Sequence, residues 1–92
     1  MIQLRIVTIE GVKFSGKVGQ VTLPTGAGEI TVLPNHIPLI SQLNAGTLRT
    51  KGGEEGEQAF IIGKGVLEVR KGSNVVVLTD ECKSSSPSTS SG

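Results

Sequence analysis

An acid and the chain's only histidine, Glu29 and His36, share the segment GAGEITVLPNHIPL, and these residue types invite two chemistries: a metal site or a nucleophilic triad. Neither has enough members. One His without a Cys partner, and with Glu29 the one acidic residue of the motif, falls short of the three or four ligands a zinc site needs. A Ser-His triad would require a nucleophile elbow or an oxyanion loop, and no such motif is present. Gly26-Ala27-Gly28 lacks the spacing and the Lys-Ser/Thr of a phosphate-cradling loop, and no helix follows it. No catalytic residue, metal or cofactor is therefore expected. What the segment offers is presentation. Gly26 and Gly28 permit positive φ ahead of Glu29, Ile30 and Val32 alternate with Thr31 as a strand with one buried face requires, and Pro34 stops that strand. Asn35 tolerates a left-handed turn and Pro38 biases Ile37 toward extended geometry, so His36 is held on a short loop between two stiff corners.

The elements around this segment read as strands. Thirteen glycines and a high content of Val, Ile and Thr point to short strands and tight turns, and no stretch carries sustained helical periodicity. Strands are predicted at 2–9, 13–23, 28–33, 46–51, 57–63, 65–70 and 74–80. Glu10-Gly11, Pro24-Thr25-Gly26, Asn44-Ala45-Gly46, Gly52-Gly53 and Lys71-Gly72-Ser73-Asn74 supply the turns between them. In the first strand Ile2, Leu4 and Ile6 share one parity and Val7 and Ile9 take the other, which predicts a bulge or register change near Ile6, or burial on both sides. Leu67 and Val69 alternate with Glu68 and Arg70, giving a strand with one wet side. Val75-Val76-Val77-Leu78 is apolar without a break and predicts a central strand, covered on both faces by the domain itself or by a partner. A solitary sheet would leave an apolar face in water, so two packed sheets, an all-β sandwich, are expected, with a net stability of ~5–10 kcal/mol. Phe14, Phe60, Ile62, Leu67, Val69 and Val77 are assigned to its core.

Composition narrows the function further. The 92 residues are 36% hydrophobic and 18% charged, with nine basic residues against eight acidic ones, a formal charge of +1. Lys and Arg are scattered, and the two phenylalanines are the only aromatics, so nucleic-acid binding is not expected. No run of 18 apolar residues and no signal peptide is evident, which predicts neither membrane insertion nor secretion and places the domain in the cytoplasm or an equivalent compartment. Cys82 is alone, excludes an internal disulfide, and is given no buried structural role. The segment 83–92, KSSSPSTSSG, has no apolar residue to offset its ordering entropy, so a domain over 1–82 and a disordered Ser-rich tail or linker over 83–92 are expected.

Three motifs in order carry a resemblance: Phe14-Ser15-Gly16; Gly28-Glu29-Ile30 leading into Val32-Leu33-Pro34-Asn35-His36-Ile37-Pro38-Leu39; and Gly65-Val66-Leu67-Glu68-Val69 followed by Asn74-Val75 and Val77-Leu78-Thr79-Asp80. From about Ile2 to Asp80 the chain resembles the N-terminal β-sandwich domain of the ε subunit of the F-type ATP synthase, called δ in mitochondria. The resemblance implies a flattened two-sheet sandwich in the central stalk, bound to the γ subunit and resting on the polar loops of the c-ring, peripheral at the cytoplasmic face of a bacterial inner membrane or the equivalent organelle face. It implies a mechanical role in coupling ion translocation to ATP synthesis. Family members usually continue into a helical hairpin that restrains hydrolysis and in some binds ATP. The present residues contain no such hairpin, so neither property is expected of this chain.

By the same resemblance Glu29 occupies the acidic position at the c-ring end, and His36 lies on a loop near that junction. Thr8 and Ser41 occupy γ-facing positions. Each has a plainer reading: Glu29 a solvated acid after a turn, His36 a local turn-stabilising hydrogen bond, Thr8 and Ser41 ordinary hydroxyls on a sheet. A free-standing peptide- or sugar-binding sandwich is the competing function, although such a module usually needs exposed aromatic or clustered polar anchors. An enzyme ranks last.

Overall fold

A computed structural model describes residues 1–85, and in them all regular structure is strand. Ten strands follow in order: β1 Ile2–Thr8, β2 Gly11–Val18, β3 Gln20–Thr25, β4 Gly28–Val32, β5 Leu39–Leu43, β6 Gly46–Lys51, β7 Gln58–Ile62, β8 Gly65–Arg70, β9 Asn74–Thr79 and β10 Cys82–Ser85. Hydrogen bonding runs β10-β7-β6-β3-β5-β8-β9-β1-β2, with β4 on the other edge of β3. The path folds over where β3 meets β5 through a single pair, Thr25 with Leu43. That hinge divides it into two layers, β10-β7-β6-β3-β4 and β5-β8-β9-β1-β2. Both layers feed one core: Ile2, Leu4, Ile6, Val18, Leu67, Val69, Val75 and Val77 from the second meet Val21, Leu23, Val32, Leu48, Phe60 and Ile62 from the first. This is the expected two-sheet sandwich, with Phe60, Ile62, Leu67, Val69 and Val77 buried as assigned. Phe14 is half-buried, tilted against Phe60 with ring centroids 5.3 Å apart.

Alternation along each strand explains the layering. In β1 Ile2, Leu4, Ile6 and Thr8 are buried while Arg5 is exposed. The predicted irregularity falls between Ile6 and Val7, but the extra residue belongs to the neighbour: Ile6 pairs with Phe14 and Val7 with Val12, leaving Lys13 as a bulge in β2. β1 therefore keeps its parity through Thr8. β9 is central, antiparallel to β8 and parallel to β1. Its Val75 and Val77 are buried, whereas Leu78 on the outer face is 49% exposed, so the domain itself covers only one side of this apolar run.

Three boundaries differ from expectation. The stretch 13–23 is two strands in different layers, because the chain bends at Gly19, whose N–H is taken up by the Lys51 carbonyl at 2.7 Å. An added Cβ there would lie 3.0 Å from that oxygen. Leu39–Leu43, where no strand was predicted, is strand β5, paired along its length with β8. The tail was expected to begin at Lys83, yet Cys82–Ser85 forms β10 on β7, where Ser84 opposes Phe60 and Lys83 opposes Ile61. Backbone pairing on an available edge, rather than side-chain burial, accounts for that order. Residues 86–92 of the expected tail lie outside the described residues. Cys82, expected to have no buried role, packs against the core, and burial pushes its thiol pKa up.

Candidate functional site

The turn after β4 is built as its sequence requires. Asn35 takes φ 65°, the left-handed conformation an Asn accepts. Its N–H donates to Ser73 Oγ at 2.8 Å, fastening this loop to the β8–β9 turn, where Ser73 also has positive φ. The backbone N–H of His36 donates to the Leu33 carbonyl at 3.2 Å, and His36 Nδ1 lies 2.7 Å from the carbonyl oxygen of Ile37. An N–H at Nδ1 makes that contact a hydrogen bond. The local hydrogen bond proposed for His36 is thus present. Beside it Ile37 and Ile40 are each 74% exposed. Pro38, Leu39 and Ile40 form one wall, and Glu68, Arg70 and Lys71 the other, of an open groove of about 590 Å³.

Glu29 sits at the start of β4, opposite Pro24. Its carboxylate Oε2 is 3.5 Å from Arg49 Nη1, and both side chains are more than half exposed. The Pro24 carbonyl accepts the N–H of Asn44, just past the end of β5. His36, by contrast, precedes the start of β5 and follows Asn35, whose N–H is tied to Ser73. Glu29 and His36 therefore lie at opposite ends of the sandwich, whereas the resemblance placed both near one junction. The cause is β4 itself, which runs the length of β3 between them.

Thr8 stands at the Glu29 end, but it is 8% exposed, and its hydroxyl accepts the N–H of Glu10 at 3.1 Å, capping the β1–β2 turn. There Glu10 and Lys13 pair at 2.7 Å, and the ammonium holds the Glu10 carboxyl below the usual range. Ser41 opposes Leu67 and shares the inward parity of β5, half-buried, while Ile40 and Gln42 point outward. Neither hydroxyl is on the outer face.

That face carries features the site reading missed. Register places Gln42, Val66, Leu78, Val7 and Val12 side by side across β5, β8, β9, β1 and β2. Val66, Leu78 and Val12 are 39%, 49% and 56% exposed, and Ile9 beside them is 96% exposed. The next row, toward the His36 end, is Ile40, Glu68, Val76, Arg5 and Ser15, and beyond it stand Arg70 and Lys17. The face is apolar near the Glu29 end and polar, with several cations, toward the other. Glu68 is engaged by Arg70 at 3.1 Å. The signal was in the sequence, since the unbroken run 75–78 and the apolar residues of both parities in 6–9 mark this face. Among the described residues no three His, Cys, Asp or Glu side chains converge as metal ligands.

Residues 1–85 match the family model described as "ATP synthase, Delta/Epsilon chain, beta-sandwich domain". The chain is 40% identical over 79 residues to the ATP synthase epsilon chain of Bordetella avium, covering 86% of this chain and 55% of that one. To the epsilon chain of Dehalococcoides mccartyi it is 43% identical over 82 residues, covering 89% and 57%. It thus spans a little over half the length of these relatives. Among solved structures it superposes, with a TM-score of 0.82 and 26% identity, on a chain of the Euglena gracilis mitochondrial ATP synthase in a structure of OSCP, F1 and the c-ring, covering 90% of this chain and 52% of that one. A chain of the Tetrahymena thermophila central stalk and c-ring shares the fold, with a TM-score of 0.73 at 15% identity. The ordered motifs, the two-layer sandwich and these matches converge: the chain belongs to the ATP synthase delta/epsilon family, as its β-sandwich domain.

Proposed function

We propose that this chain is the sandwich part of a central-stalk rotor subunit of an F-type ATP synthase, binding γ and contacting the c-ring so that ion translocation is coupled to ATP synthesis. The observation that carries the reading is the outer face of β5-β8-β9-β1-β2, where Val66, Leu78, Val7 and Val12 stand side by side as one apolar row. Contiguous exposed apolar surface of this kind marks a protein contact. We assign it to γ. Val66, Leu78, Val12 and Ile40 then make the contact, with Arg5 and Arg70 meeting acidic groups toward the His36 end. His36 borders this surface through Ile37 and Ile40 and goes with the γ side. Thr8 and Ser41 act from within, as the cap of the β1–β2 turn and as packing at the β5 edge.

Glu29 faces the polar loops of the ring from the opposite end, where a carboxylate pairs with basic or amide groups. The domain supplies no catalytic group. Its role is mechanical: strands cross-bonded in two layers around one packed apolar core resist the shear that torque imposes. It works as a peripheral component at the cytoplasmic face of a bacterial inner membrane or the equivalent organelle face. The test is titration with the cognate γ subunit. A complex in the micromolar range or tighter is expected, and no binding at tens of micromolar overturns the assignment. For the ring contact, Glu29→Lys lowers coupled ATP synthesis while the isolated chain still folds; unchanged synthesis argues against it.

A further inference from the structure

We infer that Arg49 is a second ring-contacting residue, acting with Glu29 as a two-signed docking pair at that end of the sandwich. This rests on the reading that the Glu29 end meets the polar loops of the c-ring. The register puts Thr31, Thr22 and Arg49 in one row across β4, β3 and β6, all on the outer face. Glu29 stands one pleat further along β4, toward the end, opposite Pro24. Strands are ~4.8 Å apart, so β6 and β4 are separated by ~10 Å. Arg49 reaches Glu29 only by extending diagonally across β3, where Thr22 and Pro24 stand between them. Beneath them the Thr22 and Thr31 hydroxyls bond to each other at 2.9 Å.

The contact between Arg49 and Glu29 is monodentate, one Nη1 to one Oε2 at 3.5 Å, with side chains 54% and 58% exposed. A guanidinium carries five N–H donors in a planar fork, and a carboxylate has two oxygens. The pair therefore leaves most of the fork and the second carboxylate oxygen open to a partner. Its own worth in the isolated domain is small, because exposed pairs are screened by water. What it offers a partner is two opposite charges on the strands either side of β3, within reach of one loop. A partner loop fitting this pair presents an acceptor, a carboxylate or main-chain carbonyl, to Arg49 and a donor, an amide or a basic side chain, to Glu29. A loop bearing basic groups alone would fit Glu29 but be repelled by Arg49, so the pair selects among loops as well as binding one.

The experiment measures binding of the full chain, with γ bound, to the cognate c-ring in detergent, for the parent, Glu29→Gln, Arg49→Gln, the double Gln variant and the charge swap Glu29→Arg/Arg49→Glu. Folding of each is checked by urea denaturation. Arg49→Gln is expected to weaken ring binding by about three- to fivefold, the range of a rim ion pair. It should also lower the salt dependence of binding. The swap preserves the internal pair but reverses what the loop meets, and is expected to bind at least as weakly as the double Gln variant. If Glu29→Gln weakens binding while Arg49→Gln leaves it unchanged or tightens it by freeing the carboxylate, Arg49 is a bystander and this inference fails alone. If neither variant changes ring binding, or the swap binds like the parent, the ring assignment of this end fails with it.

Discussion

Leu67 and Leu78 lie on the paired strands β8 and β9 and point to opposite faces, Leu67 fully buried and Leu78 49% exposed. The two positions therefore separate folding from docking. Leu78→Asp removes a side chain whose full burial contributes about 1.5–3 kcal/mol, of which half, about 1 kcal/mol, is realised within the domain. Asp is a poor strand residue and adds up to about 1 kcal/mol. A domain stable by ~5–10 kcal/mol remains folded. At the surface proposed to meet γ the remaining half of the leucine is lost, about 1 kcal/mol, and a carboxylate is set between Val66 and Val7, where it has no partner of its own strand row. Desolvating it adds several kcal/mol, so affinity falls by about a hundredfold or more. Leu67→Ala does the reverse: it opens a cavity in the shared core and costs about 2.7–5 kcal/mol of stability, while the γ surface is untouched in molecules that remain folded. Urea unfolding followed by far-ultraviolet circular dichroism and calorimetric titration with γ read the two effects separately. The reasoning is refuted if folded Leu78→Asp binds γ within threefold of the parent, or if Leu67→Ala loses less stability than Leu78→Asp.

Three other outcomes follow from local geometry. Thr79 is buried, and its hydroxyl lies 3.0 Å from the Gly63 carbonyl, 3.2 Å from that of Lys64 and 3.0 Å from that of Glu81; Thr79→Val leaves these acceptors without the hydroxyl and is expected to cost about 1–3 kcal/mol in a urea titration. The Cys82 thiol, pushed up by burial, reacts with a thiol-specific disulfide reagent near neutral pH about tenfold or more slower in the folded chain than in urea, and equal rates would contradict its packing. Glu10 has its carboxyl lowered by the Lys13 hydrogen bond and charge, so its contribution is complete above the ordinary glutamate midpoint and is lost as pH falls through the lowered one. A carboxyl-resolved NMR titration should show that lowered midpoint and its return toward the ordinary value in Lys13→Gln.

The order of strands and turns was largely legible because each depends on neighbours in sequence. β6 and β8 stand where predicted at 46–51 and 65–70, since alternation and bounding glycines are local signals. Asn35 adopts the left-handed φ its residue type allows. What escaped were features decided by contacts distant in sequence. Gly19 carries no turn signature, yet the chain changes layer there because Lys51, far along the chain, supplies the acceptor. β5 is short and follows a proline, and its strand character comes from β8. β10 contains two serines and a lysine and is ordered by the edge of β7, a partner no local pattern announces.

The candidate site divides the same way. Residue types alone determined that the lone histidine and its neighbouring acid present themselves on a turn and a strand start, and that the segment 75–78 is apolar on both faces. Only tertiary structure decided that Glu29 and His36 are at opposite ends, that Thr8 and Ser41 point inward, and that Leu78 shares a surface with Val66, Val7 and Val12. The reason is physical: periodicity along a strand specifies which residues share a face, but whether that face meets the core, water or another protein depends on which strands lie beside it and what covers the sheet.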